Sequence, residues 1–501
     1  MTRPQGRLAS RPRHSSTYAA AVGLAAGVLL TSVVVPYVRS EPTASATVSS
    51  SGPEGVPTAG SGTGVTGNSG NGAGPASGAG QGPSAGPGNA VSSSVTETSG
   101  PGTATIPSGP VTGVTSSEIK VGIGLIDVGA AKQFGFNFDI GNEKARYQAL
   151  IDRLNRQGGI AGRKIVPYFE SFPATDPTTA SQADCLTWTK DDKVFAVLVE
   201  SQLPTAAEVC IIGQGATPLI TTQGTEQAYY ANGLLWTTQA SDNRILDDEA
   251  DYLAGNGSLK GKTIGVLSGD GTDEQAVDNA LIPRLSSLGY KVKDVEVVPS
   301  DAGGVQRQPI AISNFKAAGV NFVIVASNVV LAGPFVEAAN RAGFNPTYAL
   351  SDFNNEINDQ VANYYPPSFQ GTVGLSTHRF PEYRDGAPFT STDQACLNVI
   401  HPVDSKVLPP TNAAFEEAMG NCAVFDVLVD GLRGAGAALT QASFLSALSG
   451  LSRFGIPATQ DGSFSATQHD AVDYEQPVSW QKSCECWKLV HGLHTPIRKM
   501  S

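Results

Sequence analysis

The sequence predicts an α/β protein of two lobes, each a doubly wound parallel sheet, behind an apolar N-terminal helix and a Gly/Ser/Pro linker. Three observations predict it. Short, continuously apolar strands alternate with amphipathic helices from Glu118 onward. The alternation comes in two successive series, with Trp236 just before the expected crossover between them. The chain of 501 residues is also long enough for more than one core. Strands that are apolar on both faces belong in parallel sheets covered by helices on both sides. A ligand site would then lie at the carboxyl ends of the strands, facing the other lobe.

The front of the chain is of a different kind. Arg3, Arg7, Arg11 and Arg13 precede an uncharged run from Tyr18 to Val38. About 20 apolar residues can span a bilayer, whereas a secretory core needs about 7–15. Residues 1–40 are therefore a signal peptide or a signal anchor, and residues 18–38 are the membrane contact if they stay uncleaved. Either way the remainder is exported, giving an extracytoplasmic protein that is surface-anchored or secreted. Residues 41–116 are almost wholly Gly, Ser, Pro, Thr, Ala and Val, without an aromatic residue. Such a segment cannot bury enough apolar surface to offset its ordering entropy, so it is expected to be a disordered tether. The net charge of −12 excludes a nucleic-acid partner, which needs a basic face.

The elements follow in order. Glu118–Ile126 is a strand, and residues 141–157 form a helix with Tyr147, Leu150, Ile151 and Leu154 on one face. Gly158 ends that helix, Gly159 loosens its exit, and Gly162 turns the chain into the strand 163–169. Helix 180–190, strand 193–199, helix 205–214 and strand 217–221 complete the first series. The second runs through strand 262–268, helix 274–288, strand 291–298, helix 309–318 and strand 321–327, then helix 331–342 and strand 347–351. A late helix covers 423–439.

No catalytic or cofactor motif is complete. Gly122-x-Gly124 follows a strand, but Asp127 stands where a dinucleotide fingerprint needs glycine. Gly374, Ser376 and His378 resemble a nucleophile elbow that lacks its second glycine. The histidines are scattered, so neither enzyme chemistry, a metal nor a cofactor is expected. The six cysteines, all in the exported part, permit 15 pairings. Sequence locality favours Cys185 with Cys210 and Cys396 with Cys422, while Cys484 and Cys486 could bond to each other or elsewhere.

Several stretches carry a family likeness: IKVGIGLI (119–126), LNRQGGIAGRKI (154–165), DDKVFAVLV (191–199), GATPLIT (215–221), FKAAGVNFVIVAS (315–327) and AANRAGFNPTYALSD (338–352). From about 117 to 490 the chain resembles the solute-binding proteins of branched-chain amino-acid ABC transporters, the Leu/Ile/Val-binding type of type I periplasmic binding protein. The resemblance implies two lobes joined by three crossovers, near 237–241, 371–377 and 456–461, that close on a small ligand. Lobe 1 would comprise 117–238 and 374–457, and lobe 2 would comprise 239–373 and 458–501. It also implies ABC permease subunits as partners.

Position by position, the resemblance implies ligand contacts at Phe134, at Glu200, Ser201 and Gln202, and at Thr221, Thr222, Gln223 and Thr225. On lobe 2 it implies Asp352 as the acid that meets a ligand ammonium, with Asp273 where the family has a tyrosine. The acids Glu200, Asp273 and Asp352 suit a cationic or hydroxyl-rich ligand better than plain leucine. The function expected is capture of a small polar molecule, an amino acid or related compound, for an ABC permease. The alternative is a surface-anchored interaction or sensor protein of the same fold with no transport ligand.

Overall fold

A computed structural model of the chain describes residues 111–134, 137–174, 177–201, 203–300, 302–353, 357–491 and 498–499. The apolar segment 18–38 and nearly all of the linker lie outside the described residues. Among the described residues no helix is long and apolar enough to cross a membrane.

Lobe 1 is built on β1 (Glu118–Asp127), α1 (Glu143–Arg156), β2 (Lys164–Pro173), α2 (Pro177–Leu186), β3 (Ala196–Val199), α3 (Thr205–Val209), β4 (Leu219–Thr221) and β5 (Leu235–Thr237). Its strands pair in the order β2-β1-β3-β4-β5, all parallel. Both faces are buried, as the continuous apolar strands require. Ile119, Val121, Ile123, Ala196 and Leu198 pack on one side with Tyr147, Ile151 and Leu154 of α1. Val197 and Val199 pack on the other with Phe172, Trp188 and Ile211.

The two glycines after the first strand residues now have a steric reason. A Cβ on Gly122 would lie 2.9 Å from the Trp188 ring, and one on Gly124 would meet Val199, Phe172 and Trp188. The ring lies across the sheet where those side chains would stand, and its Nε1 donates to Tyr168 O at 3.0 Å. The pair accommodates an indole, not a pyrophosphate.

The turn after α1 is also legible residue by residue. Gly159 N–H donates to Leu154 O and Gly158 N–H to Asn155 O, the two bonds of a Schellman ending, with both glycines at positive φ. Ile160 and Arg163 then exchange two backbone bonds across Ala161-Gly162, whose φ values of 48° and 81° make a tight reversal into β2. At Gly159 a Cβ would sit 2.0 Å from Arg163 O.

Lobe 2 begins with α4 (Asp242–Gly255) and continues through β6 (Ile264–Gly269), α5 (Thr272–Ala276), α6 (Ile282–Ser287), β7 (Val292–Val298), α7 (Ala302–Ala318), β8 (Phe322–Ala326), α8 (Val329–Arg341), β9 (Thr347–Ser351), α9 (Asp359–Ala362) and β10 (Val373–Ser376). The chain passes along α10 (Phe380–Arg384) and returns to lobe 1 as α11 (Ser391–Ile400), α12 (Ala413–Ala435) and α13 (Gln441–Ser449), which pack against α1, β3 and β4 directly or through one another. A short hairpin, β11 (Phe454–Gly455) with β12 (Asp461–Gly462), leads to β13 (Tyr474–Gln481), β14 (Cys486–Leu489) and β15 (Arg498–Lys499). The second sheet runs β14-β13-β10-β9-β8-β6-β7, parallel from β10 to β7 and antiparallel at β13 and β14.

The first two crossovers follow β5 and β10. The third differs from the sequence expectation of 456–461. Asp470 is bridged to Thr237 at the edge of the first sheet, and the chain joins the second sheet only at Tyr474. The hairpin that looked like a passage between lobes is a local reversal. The late helix likewise starts at Ala413, capped by Asn412, ten residues before the apolar run that announced it.

Three disulfides are present. Cys185–Cys210 ties α2 to the turn after α3, and Cys396–Cys422 ties α11 to α12. With sequence separations of 25 and 26, loop closure assigns each about 3.5 kcal/mol of stabilisation. Cys484 and Cys486 bond to each other across the β13–β14 turn, where Glu485 has φ 49°, rather than within a strand.

Gly159→Ala should destabilise the chain by about 2 kcal/mol, because alanine needs the same left-handed φ and meets Arg163 O. Urea unfolding read by tryptophan fluorescence checks this, and an unchanged midpoint would contradict it.

Candidate ligand site

The loops at the carboxyl ends of β3 and β4, the crossovers after β5 and β10, and one face of α12 enclose a cavity of about 530 Å³, counting its open mouth. Glu200 comes from the loop after β3, Thr222 from the loop after β4, and Thr238 and Gln239 from the first crossover. His378 and Phe380 come from the second crossover, and Asn358 from lobe 2 beyond β9. From α12 come Glu416, Glu417, Met419, Gly420 and Ala423. This is the crevice outside the strand ends that open α/β sheets offer to ligands.

The lobes touch around it. Asn137 N–H donates to Tyr364 Oη at 2.7 Å, and Asn279 Nδ2 donates to Glu226 Oε1 at 3.1 Å. The hydroxyls of Thr205 and Thr272 lie 3.4 Å apart.

Glu200 is the centre of the electrostatics. Its side chain lies flat on α12 where residue 420 has none: a Cβ there would come within 2.2 Å of Oε1. Burial, then the charge of Glu417 and a hydrogen bond shared with it, pushes the Glu200 carboxyl well above the usual carboxylate range. Glu143 is held at about 8, first by burial and then by Glu417, against the opposing pull of Arg146. Below the cavity Arg146 is fully buried, with Nη1 on Asp404 at 2.8 Å and Nε on Asn421 Oδ1 at 2.6 Å. Tyr147 is raised by burial and by the charges of Glu143 and Glu200.

The structure distributes the sequence-predicted residues unevenly. Glu200 and Thr222 stand on the cavity wall, joined by a bond from Thr222 Oγ1 to Glu200 O. Thr221, Gln223 and Thr225 are buried just behind: Thr221 Oγ1 donates to Gln223 O, Thr238 N–H to Thr221 O, and Asp242 N–H to Thr225 O. Ser201 is half-buried beside Glu200. Gln202 lies outside the described residues; Phe134 closes a short 3₁₀ turn and its side chain is not among those described.

Asp352 is 2% exposed and sits behind the wall. Its Oδ2 accepts from Ser376 Oγ at 3.1 Å, from Thr377 N–H and Oγ1, and faces His378 Nδ1 at 3.0 Å. It thus fastens the second crossover. Ser376 bonds that carboxylate and not the imidazole ring, so the Ser, His and Asp here do not form a nucleophilic triad. Asp273 lies away from the cavity, at the start of α5, where Ser300 Oγ donates to it at 3.3 Å. There it faces Asp242, whose carboxyl is raised by burial, then by Asp273, Glu208 and Glu226.

Sequence reasoning missed His378, Phe380, Asn358 and the α12 residues. The available signal for the last was Asn412 as a cap, followed by AAFEEAMG with its charged pair. Among the described residues no cluster of His, Cys, Asp or Glu could hold a metal ion.

With this geometry in place the comparisons are informative. The sequence profile of the family described as periplasmic binding protein matches residues 131–482, so the chain belongs to that family. No protein of curated function matches it in sequence. A type 1 periplasmic binding protein from Bordetella pertussis Tohama I superposes with a TM-score of 0.59 at 14% identity, covering 76% of this chain and 99% of that one. A leucine-binding protein from Thermotoga maritima MSB8 gives 0.58 at 12% identity, with 74% and 97% covered. An ABC-transporter solute-binding protein from Rhodopseudomonas palustris BisB5, in complex with 3,4-dihydroxybenzoic acid, gives 0.54 at 15% identity, with 72% and 93% covered. At these identities the likeness is one of fold.

Glu143, Glu208 and Glu249 are each pushed up to about 8 by burial. A carboxyl of ordinary acidity when unfolded binds more protons folded than unfolded between about pH 4.5 and 8, so its stabilisation is lost as pH rises through that window. Unfolding midpoints should therefore be higher near about pH 5.5 than near about pH 8.5. Glu208→Gln should flatten the slope; a midpoint that climbs with pH would contradict the burial described.

Proposed function

We propose that this chain is an extracytoplasmic solute receptor that captures a small polar molecule, an amino acid or related compound, in the interlobe cavity. It would hand that molecule to an ABC permease, without turning it over. The observation that carries the reading is the cavity itself, set at the strand ends between lobes joined by three crossovers and lined mainly by polar side chains. Family membership and the solute-binding neighbours support it. Glu200 and Thr222 would contact the ligand directly, with the Thr221–Thr225 loop positioning them and Asp352 positioning His378. Capture is a shift toward the closed arrangement, because a ligand in the cavity touches both lobes only when they meet. The basic and apolar N-terminus and the long linker fit a receptor exported and tethered, or released, outside the cytoplasm.

A thermal-shift screen of the purified chain against amino acids, polyamines, amides, sugars and small aromatic acids tests this. At about 100-fold excess over Kd a ligand adds roughly 2.7 kcal/mol of stability, a visible shift. A hit should also reduce the radius of gyration in solution scattering. A folded chain unmoved by the whole panel would sink the receptor reading in favour of a surface interaction or sensor protein.

A further inference from the structure

The charge around the cavity is one-sided. Glu200, Glu416 and Glu417 line it, and neither lysine nor arginine does. Arg146, whose charge acts on Glu200, is turned to Asp404, Ile140 O and Asn421 in the interior. His378 stands on the wall with Nδ1 on Asp352. A ligand carboxylate would thus meet three carboxyls and no lysine or arginine on the wall, although Glu416 also interacts with the Arg384 charge.

An independent observation points the same way. Glu200 is 7% exposed, no N–H or hydroxyl group of the described residues donates to its Oε2, and Gly420 leaves the space that lets the carboxyl lie at the cavity wall. A buried carboxyl oxygen without a donor is costly unless something supplies one. Beside it, Phe380, Met419 and Ile456 form an apolar wall suited to a short hydrocarbon body.

We propose that the cavity selects an aliphatic amine lacking a carboxylate, its ammonium group donating to Glu200 and to the Glu416–Glu417 pair on α12. The proposal rests on the receptor reading above and narrows its ligand class. Without ligand, a proton held on Glu200 relieves its repulsion with the Glu417 charge. The groups acting on Glu200 are Glu417 from α12 and Glu143 and Arg146 from α1, with Tyr147 of α1 beside them; His378 and Glu416, which interacts with Arg384, line the same cavity. The ammonium takes the place of the proton on Glu200, which leaves to solvent. Binding therefore releases a proton, and affinity rises with pH until the amine itself deprotonates.

Titration calorimetry of the full chain with 1,4-diaminobutane, spermidine, leucine and 3,4-dihydroxybenzoate tests this, in two buffers of different ionisation enthalpy. The expected result is that an amine binds with proton release and that leucine and the aromatic acid bind roughly a hundredfold more weakly or not at all. Glu200→Gln should weaken amine binding roughly thirtyfold or more while removing the buffer dependence. Should that variant fail to fold, Glu417→Gln gives the same reading. Tighter binding of leucine or of the aromatic acid overturns the amine and leaves the receptor reading standing. If neither amine binds, the amine is overturned, and the wider thermal-shift panel decides whether the receptor reading falls with it. Amine binding that Glu200→Gln and Glu417→Gln leave unchanged also overturns the assignment, since the ammonium would then sit elsewhere.

Discussion

A single guanidinium sealed from solvent organises the ligand-facing side of lobe 1. Arg146 lies on α1 and reaches Asp404 and the Ile140 carbonyl with Nη1, and Asn421 of α12 with Nε. Burial alone would raise Asp404, but bonds from Asn142 N–H and from Arg146 hold it below its ordinary value. Asn421, turned by Arg146, gives its Nδ2 to Glu143, and Glu143 in turn accepts Ile126 N–H near the end of β1. One chain of bonds thus joins helix, helix and strand end. A buried charge that loses its partner costs about 3–5 kcal/mol, which makes this contact hard to give up.

The rest of the cavity wall depends on that placement. With α12 fixed against the sheet, Glu416, Glu417 and Gly420 come opposite the loop after β3, and Glu200 can press onto the helix. The Cys396–Cys422 disulfide begins two residues beyond Gly420 and holds the same helix to α11. On the other side the second crossover is fixed by Asp352, which gathers Ser376, Thr377 and His378 onto one carboxylate oxygen. Lobe 1 therefore supplies the charge and the crossovers supply much of the frame.

The fold was legible because burial on both faces makes parallel strands continuously apolar, and the helices between them keep their 3.6-residue period. Local turns were legible too: Gly158, Gly159 and Gly162 all adopt the positive φ their positions imply. Of the residues expected at the ligand site, Glu200 and Thr222 stand on the cavity wall, both in loops that follow strands. The acids of α12 escaped because Gly420 interrupts the apolar pattern, and its reason, a side chain arriving from a loop 220 residues earlier, has no local trace. Asp352 follows β9 directly and Asp273 opens α5 beyond β6, but sequence does not say which way a side chain turns. The third crossover was placed too early for a related reason. A two-stranded hairpin and a change of sheet both read as turn residues, and only the pairing of Asp470 with Thr237 separates them.

The packing of Trp188 over Gly122 and Gly124 links two neighbouring positions of β1 to a third far along the chain. Their variation is coupled: a side chain at Gly122 collides with the indole, one at Gly124 crowds Val199, Phe172 and the ring, and a smaller residue at 188 leaves a void above two bare strand positions. They form one unit of heritable change. A relative in which the ring has been lost should carry small side chains at the two strand positions to refill the space, and a relative that keeps the ring should keep both positions bare.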